Sequence, residues 1–342
     1  MILYKYYGFN AGLAALKSSQ LGFRQPDKFN DPFEFTFLHD GSNANEQNKL
    51  EDKIQSIKES VVVLSLTRNP LNPLMWAHYC EDHTGFVVGY EVDDDFFTSD
   101  EFNLVSVHDG DVVYTNTKNP HKLALDRNGP IHNIFLLTKG APLSVQEKES
   151  IRNLMRKMFL TKHASWVYEE EVRIIKIADS LFESSVEFQS HPYRSFSTIS
   201  RSITPWASCS IVDGLRLYDK THPIKEVYLG VRNPLLNYMN EWRKSGNCNK
   251  ELSDKASAES WQVFSVEMDK QSWALTSNVI ANELLSVPEK QTGIKNEASI
   301  SGSEFEVLLQ KLENRELLPS DKITVTHFND EINVQINGDF VL

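Results

Sequence analysis

Hydrophobic and polar positions recur along this chain with two periods, and together they outline most of its elements. Ile2 to Tyr7 reads as a strand that starts almost at the first residue, and Gly8 to Gln20 as a short helix with Leu13, Ala15 and Leu16 inward. Asn45 to Glu59 is polar and charged, a helix or an exposed excursion. Val61 to Leu64 is a continuous apolar run of the kind found in a strand covered on both faces. Asn72-Pro73 gives a helix cap followed by proline at the first helical position, opening a short helix through Cys80. Thr84-Gly85 then turns the chain into a strand from Phe86 to Val92, and Asp111 to Tyr114 forms another short strand. Ser144 and Glu147 make a capping box, after which Ile151, Leu154, Met155, Met158 and Phe159 recur at helical spacing.

The later half is read in the same way. Trp166 to Ile175 carries aromatic and β-branched residues that favour a strand, with Glu169, Glu171 and Arg173 on one face and Trp166, Tyr168, Val172 and Ile174 on the other. Ser184 to Gln189 and Ile211 to Leu217 are weaker strands, His222 to Gly230 a stronger one, and Leu235 to Ser245 a helix. Trp261 to Met268 alternates as a strand with which Trp273 to Leu275 pairs. The fold expected is α+β: a mixed, mainly antiparallel β-sheet core with flanking helices, and a small C-terminal helix-hairpin appendage. Residues 1–285 form the main domain and 286–302, polar with proline and glycine, a linker. Residues 303–342 hold a capped helix and a hairpin that docks on the main body or on a protein partner.

Composition narrows the function classes. With 342 residues and 40% hydrophobic content the chain can bury a substantial core, and its net charge of -12 argues against coating nucleic acid through phosphate contacts. Three scattered cysteines, Cys80, Cys209 and Cys248, form no Cys-x-x-Cys, so no disulfide framework or cysteine-rich zinc site is expected. The N-terminus lacks the pattern of a signal peptide and no apolar run spans a bilayer. A cytoplasmic protein without a membrane partner is the expectation.

Candidate chemistry gathers at a few places. Helical spacing carries Lys162 to the apolar face near the end of the capped helix, where a lysine needs a carboxylate partner, and the acidic strand just after it supplies one. Asn30, Asp31 and Glu34 belong to a stiff turn fixed by Pro32 between Phe29 and Phe33, either as a structural Asx turn or presented to a cleft. Trp76, Tyr79 and His83 fall at spacings of three and four, with His78 off their face. His78, Cys80 and His83 match no standard zinc spacing.

Taken in order, Leu3-Tyr4-Lys5-Tyr6, Phe29-Asn30-Asp31-Pro32-Phe33-Glu34, Met75-Trp76-Ala77-His78-Tyr79 with His83-Thr84-Gly85-Phe86, and Lys162 followed by Trp166 to Arg173, resemble the uncharacterised bacterial family catalogued as domain of unknown function 2971. Ile224 to Gly230 resembles that family's later strand, so the resemblance runs from about Met1 to Leu275. The family implies no activity. The Glu-x-Glu pattern is also similar to the catalytic strand of ADP-ribosyltransferases. That likeness implies NAD as cofactor and a macromolecular acceptor. Glu171 would stabilise the oxocarbenium-like state and Glu169 orient the acceptor, with Lys162 and Arg173 beside them. Tyr4 or Lys5 would lie near the cofactor, Trp76 or Tyr79 would stack on it, and Asn30, Asp31, Glu34, His78 and His83 would complete its surroundings. A bacterial effector of the toxin or phage-defence type fits this reading. Two alternatives stand beside it. One is a nuclease in which Asp31, Glu34, Glu169 and Glu171 hold Mg²⁺. The other is a non-catalytic protein whose buried ion cluster fixes the fold and a ligand or partner site.

Overall fold

The computed structural model describes residues 1–36, 44–100, 103–118, 129–138, 143–177, 206–208, 212–237, 244, 246, 248–288, 323–328, 331–336 and 339–340. Contact clustering separates two units, one of Met1–Asn237 with Glu251–Leu285 and one of Tyr238–Lys250 with Ser286–Leu342.

In the first unit the strands are β1 (Ile2–Tyr7), β2 (Gln20–Arg24), β3 (Val61–Thr67), β4 (Phe86–Glu91), β5 (Val113–Thr115), β6 (Thr161–His163), β7 (Glu171–Ile177), β8 (Trp206–Ser208), β9 (Leu215–Thr221) and β10 (Ile224–Leu229). β11 (Cys248–Asn249) belongs to the second unit, and β12 (Gln262–Met268) and β13 (Leu275–Val279) return to the first. A sheet runs β13-β12-β10-β4-β1-β3-β2-β9-β8, with β7 attached to β3; β10 and β12 are parallel and the other pairs antiparallel. The architecture is therefore mixed α+β with a mainly antiparallel sheet. The helices are α1 (Phe9–Ser18), α2 (Ala44–Ser60), α3 (Pro73–Tyr79), α4 (Asp95–Thr98), α5 (Pro130–Thr138), α6 (Val145–Phe159) and α7 (Glu251–Ala258). Of these, α4, α5 and α7 have no counterpart in the sequence reading, and neither does β2.

β3 explains its own apolar run. It pairs with β7 along its whole length, from Val61 opposite Ile177 to Thr67 opposite Glu171. One face of the pair places Val61, Val63 and Ile175 in a core with Ile54, Ile57, Ile131, Ile151, Met155 and Phe159 from α2, α5 and α6. The other face buries Val62, Leu64, Leu66, Val172 and Ile174. A strand covered on both faces has no polar alternation to show. The outer edge of β7 is closed by the segment before β5: Leu104 and Val105 pair with Ile175, and the Arg173 amide donates to Gly110 O at 2.8 Å. A Cβ on Gly110 would stand 2.2 Å from Arg173 O, so only glycine permits this approach.

The opposite edge of β3 is shared. β1 meets it at a single position, Tyr4 opposite Thr67, and β2 at another, Arg24 opposite Val63. Between those positions the sheet opens around Ser65. The Arg173 amide points outward to Gly110, so Ser65 and Arg173 form a non-hydrogen-bonded pair and the Ser65 carbonyl faces the opening. This fork in the sheet is where the site lies.

The sequence reading departs from the structure at further places. The stretch predicted as a strand from Trp166 is a 3₁₀ turn over Ala164–Glu169, followed by Glu170 in left-handed conformation at φ 44°, and β7 starts only at Glu171. α6 likewise ends at Phe159, so Lys162 lies on the short strand β6, parallel to β5, and not on a helix. Ser184–Gln189, residues 238–243 of the expected helix after Leu235, and the helix expected after Ser303 lie outside the described residues; Pro234–Leu236 is a 3₁₀ turn.

The second unit contains β11 paired with β14 (Val287–Pro288), and an antiparallel hairpin of β15 (Ile323–Phe328) and β16 (Glu331–Ile336) extended by β17 (Asp339–Phe340). The hairpin falls where the alternation of the sequence places it. Among the described residues no helix is long and apolar enough to cross a membrane.

Candidate functional site

Five charged side chains from four parts of the chain converge under the sheet. Glu34 comes from the turn after Asp31, Lys162 from β6, Glu169 from the 3₁₀ turn, and Glu171 and Arg173 from β7. Arg173 is completely buried. Its Nε donates to Glu171 Oε1 at 2.7 Å, its Nη2 to Glu171 Oε2 at 2.9 Å and to Glu34, and its Nη1 to Phe159 O at 2.7 Å. The guanidinium lies over the Phe35 ring at 5.0 Å and near Phe29 at 5.5 Å. Lys162 Nζ contacts Glu169 at 2.5 Å, Glu34 at 3.1 Å and Glu171 at 3.2 Å, and lies 5.0 Å from the Trp166 ring. The carboxylate partner that the sequence demands for Lys162 is thus present three times over.

Local chemistry holds these groups in place. His163 caps the 3₁₀ turn by accepting from the Ser165 amide, Thr67 Oγ1 donates to Glu169 O at 2.6 Å, and Asn72 Nδ2 donates to Tyr168 O at 2.7 Å. Asn72 also caps α3 by accepting from the Leu74 and Met75 amides, which fixes Tyr79 so that its hydroxyl donates to Glu169 Oε1 at 2.6 Å. The turn from Asp31 is an Asx turn: Asp31 Oδ1 accepts from the Phe33 amide at 2.9 Å, and Glu34 then points inward.

Three carboxylates face two cations in this cluster, and the titrations of Glu169 and Glu171 are driven in opposite directions. Burial pushes Glu171 up, but the charges of Arg173 and Lys162 win and hold it down at about 2. Burial raises Glu169, with the Glu171 charge in the same sense, and Lys162 only partly opposes it. For Lys162 and Arg173 burial favours the neutral form, yet the surrounding carboxylates win and both are raised. Glu171 is therefore held as the anion, while burial works against the charged form of Glu169.

The cluster forms the floor of a cavity of about 410 Å³ that fills the fork of the sheet. Its walls are Tyr4, Lys5 and Tyr6 of β1, Arg24 of β2, Ser65 and Thr67 of β3, Asn30, and His78 and Tyr79 of α3, with Glu34, Lys162, Glu169 and Glu171 beneath. A second cavity of about 600 Å³ shares Glu34 and Lys162 and is otherwise lined by groups such as Asp31, Phe33, Met158 and Trp166. Two cations stand on the wall of the first cavity without a carboxylate at ion-pair distance among the described residues. Lys5 Nζ donates to the Ser65 carbonyl at 3.3 Å across the opening, and Arg24 donates its Nε to Lys28 O at 2.6 Å. Burial lowers Lys5 to about 8, with Arg24 acting in the same sense and Glu171 against it.

Of the residues singled out from sequence, Tyr4, Lys5, Asn30, Glu34, His78, Tyr79, Lys162, Glu169 and Glu171 meet at this cavity, Asp31 lines only the second, and Arg173 lies wholly beneath. The Tyr4 hydroxyl is already donated to Glu226 at 2.9 Å. Trp76 and His83 lie elsewhere. Trp76 is fully buried in a separate apolar cluster and donates to Pro70 O, and His83, on a left-handed turn past the end of α3, stacks on it at 6.3 Å. Neither offers a platform to a ligand in the cavity. Arg24 escaped the sequence reading because β2 did; the alternation of Leu21, Phe23 and their neighbours is the signal that carried it.

Comparison with known proteins gives one match. A family model described as a protein of unknown function, DUF2971, matches residues 75–174. That span, shorter than the Met1 to Leu275 resemblance, holds Tyr79, Lys162, Glu169, Glu171 and Arg173, whereas Lys5, Arg24 and Glu34 lie before it. No curated protein and no solved structure matches.

The expectation of an NAD-dependent ADP-ribosyltransferase, with its toxin and antiviral associations, is corrected. The matched family is one of unknown function and lends that reading no support, and the Glu-x-Glu pair is not on one strand: Glu169 belongs to a 3₁₀ turn and Glu171 is locked between Arg173 and Lys162. Among the described residues no group of three or more His, Cys, Asp or Glu side chains is placed to hold a metal ion.

Proposed function

We propose that this protein binds a small organic anion in the fork between β1, β2 and β3. The observation that carries the reading is the pair of cations on the cavity wall, Lys5 and Arg24, neither matched by a carboxylate at ion-pair distance among the described residues. A cation on a cavity wall without such a partner is matched by an anion placed against it. A cavity of about 410 Å³ suits a small molecule. Glu169, Tyr79 and His78 line the same cavity and add polar groups to its surface. The ion cluster beneath keeps this arrangement rigid.

The test is a melting-temperature screen of the purified chain against short mono- and dicarboxylates and phosphate monoesters, run beside an Arg24→Gln variant. At least one member raises the melting temperature of the wild type in proportion to the logarithm of its concentration, and this response is lost in the variant. A screen in which no anion stabilises the wild type, or in which the variant responds equally, refutes the reading.

A further inference from the structure

Resting on the anion-binding reading, the geometry points to a covalent role for Lys5: its amine condenses with the carbonyl of a small oxo acid whose carboxylate pairs with Arg24, forming a Schiff base in the fork of the sheet. Lys5 is held differently from the buried lysines Lys162 and Lys176. Lys162 is surrounded by three carboxylates, and Lys176 donates at 2.5 Å to Phe96 O while lying 3.8 Å from its ring. Lys5 instead faces a cavity, tethered by one long hydrogen bond of 3.3 Å to a strand carbonyl. Such a bond is easily exchanged for a ligand. An amine made less basic by burial and by a neighbouring guanidinium is a nucleophile at neutral pH, which is the ordinary way a Schiff-base lysine is activated.

The partner groups define the ligand class. Arg24 recognises a carboxylate, Lys5 requires a carbonyl carbon within reach of the same molecule, and the two line one cavity from strands that both pair with β3, so a short oxo acid satisfies both. The lone pair of Lys5 Nζ attacks the carbonyl carbon, the C=O π pair moves to oxygen, and the nitrogen proton passes to that oxygen to give a carbinolamine. A proton from bulk water then reaches the hydroxyl. The C–O bond breaks, water leaves, and the nitrogen lone pair closes the C=N bond as an iminium. Amine, carbonyl and one proton are thereby converted to iminium and water with no oxidant or reductant.

The experiment uses the full chain with pyruvate and sodium cyanoborohydride, which delivers hydride to the iminium and fixes it as a carboxyethyl group, followed by digestion and mass spectrometry. Labelling concentrates on Lys5, lactate competes with it, and acetone, which lacks the carboxylate, labels Lys5 about tenfold less or weaker still, the scale of one lost charged contact. A Lys5→Arg variant, shown by its melting curve to be folded, keeps its other lysines labelled at the wild-type background and gives no focused adduct. Label spread evenly over surface lysines, or acetone labelling Lys5 as well as pyruvate does, overturns the inference. If lactate or another anion of the screen binds and Lys5 is not labelled, the Schiff base falls while the binding site stands; if nothing binds, the site itself falls.

Discussion

Arg173 shows at a single residue how the cluster is held. It is completely buried, makes two bonds to Glu171 and one each to Glu34 and Phe159 O, and lies against the rings of Phe29 and Phe35. Substitution by methionine removes a guanidinium and leaves two carboxylates inside with too few partners, a change that costs about 3–5 kcal/mol when one member of a buried pair is deleted. Arg173→Met should lower the urea midpoint accordingly without altering the slope of the transition. The pH response follows from Glu171. Its carboxyl lies at about 2 in the folded chain against 4.5 when unperturbed, so its contribution is complete above pH 4.5 and is lost as pH falls toward 2. Glu169 has the opposite sign: raised by burial, it favours the folded state most at low pH and loses that contribution as pH rises through its folded value. Unfolding free energies measured down the acid limb should therefore fall less steeply in Glu171→Gln than in the wild type, and more steeply in Glu169→Gln.

At the level of elements, the site depends on junctions more than on the strands themselves. Asn72 is one such junction, capping α3 and bonding Tyr168 O, so it holds Tyr79 and the 3₁₀ turn together. Asn72→Ala should destabilise the chain by about 1–2 kcal/mol in urea unfolding, the upper range for a lost cap, and should weaken anion binding as Tyr79 loosens. Glu170 is another. Its left-handed φ of 44° is adverse for any side chain and worse for a branched one, so Glu170→Val should cost about 1–2 kcal/mol by the same measurement while Glu170→Gly does not. These junctions also mark what the sequence could and could not disclose. α6 was legible because its capping box and apolar spacing are local, and the Ser144 and Glu147 bonds form as the pattern requires. The 3₁₀ turn was not, because Trp166, Val167 and Tyr168 have the composition of a strand and are bent by bonds from Thr67 and Asn72, far away along the chain. The convergence of Lys162 with the acidic run that follows it was still readable, since a buried lysine must find a carboxylate and Glu169 to Glu171 lie close in sequence. Glu34 and Arg24 join from elements whose neighbours are set by long-range pairing, β2 against β9 and the Asx turn against Arg173, and no local pattern records that.

For the molecule as a whole, the proposed binding site arises from the way β3 is paired. β3 serves three partners, β7 on one side and β1 and β2 in succession on the other, and the place where those two part leaves a polar opening over a rigid charged floor. The family match holds Tyr79, Lys162, Glu169, Glu171 and Arg173 but not Glu34, Lys5 or Arg24; on the proposed reading Lys5 and Arg24 are the groups that meet the anion. The most direct measurement of this claim is an isothermal titration of the strongest anion from the melting screen into wild type and into Arg24→Gln. The account predicts saturable one-to-one binding that weakens about tenfold or more in the variant, the scale of a lost charged hydrogen bond, while its urea midpoint stays near that of the wild type. Equal affinity in the two proteins would place the anion elsewhere on the molecule and contradict it.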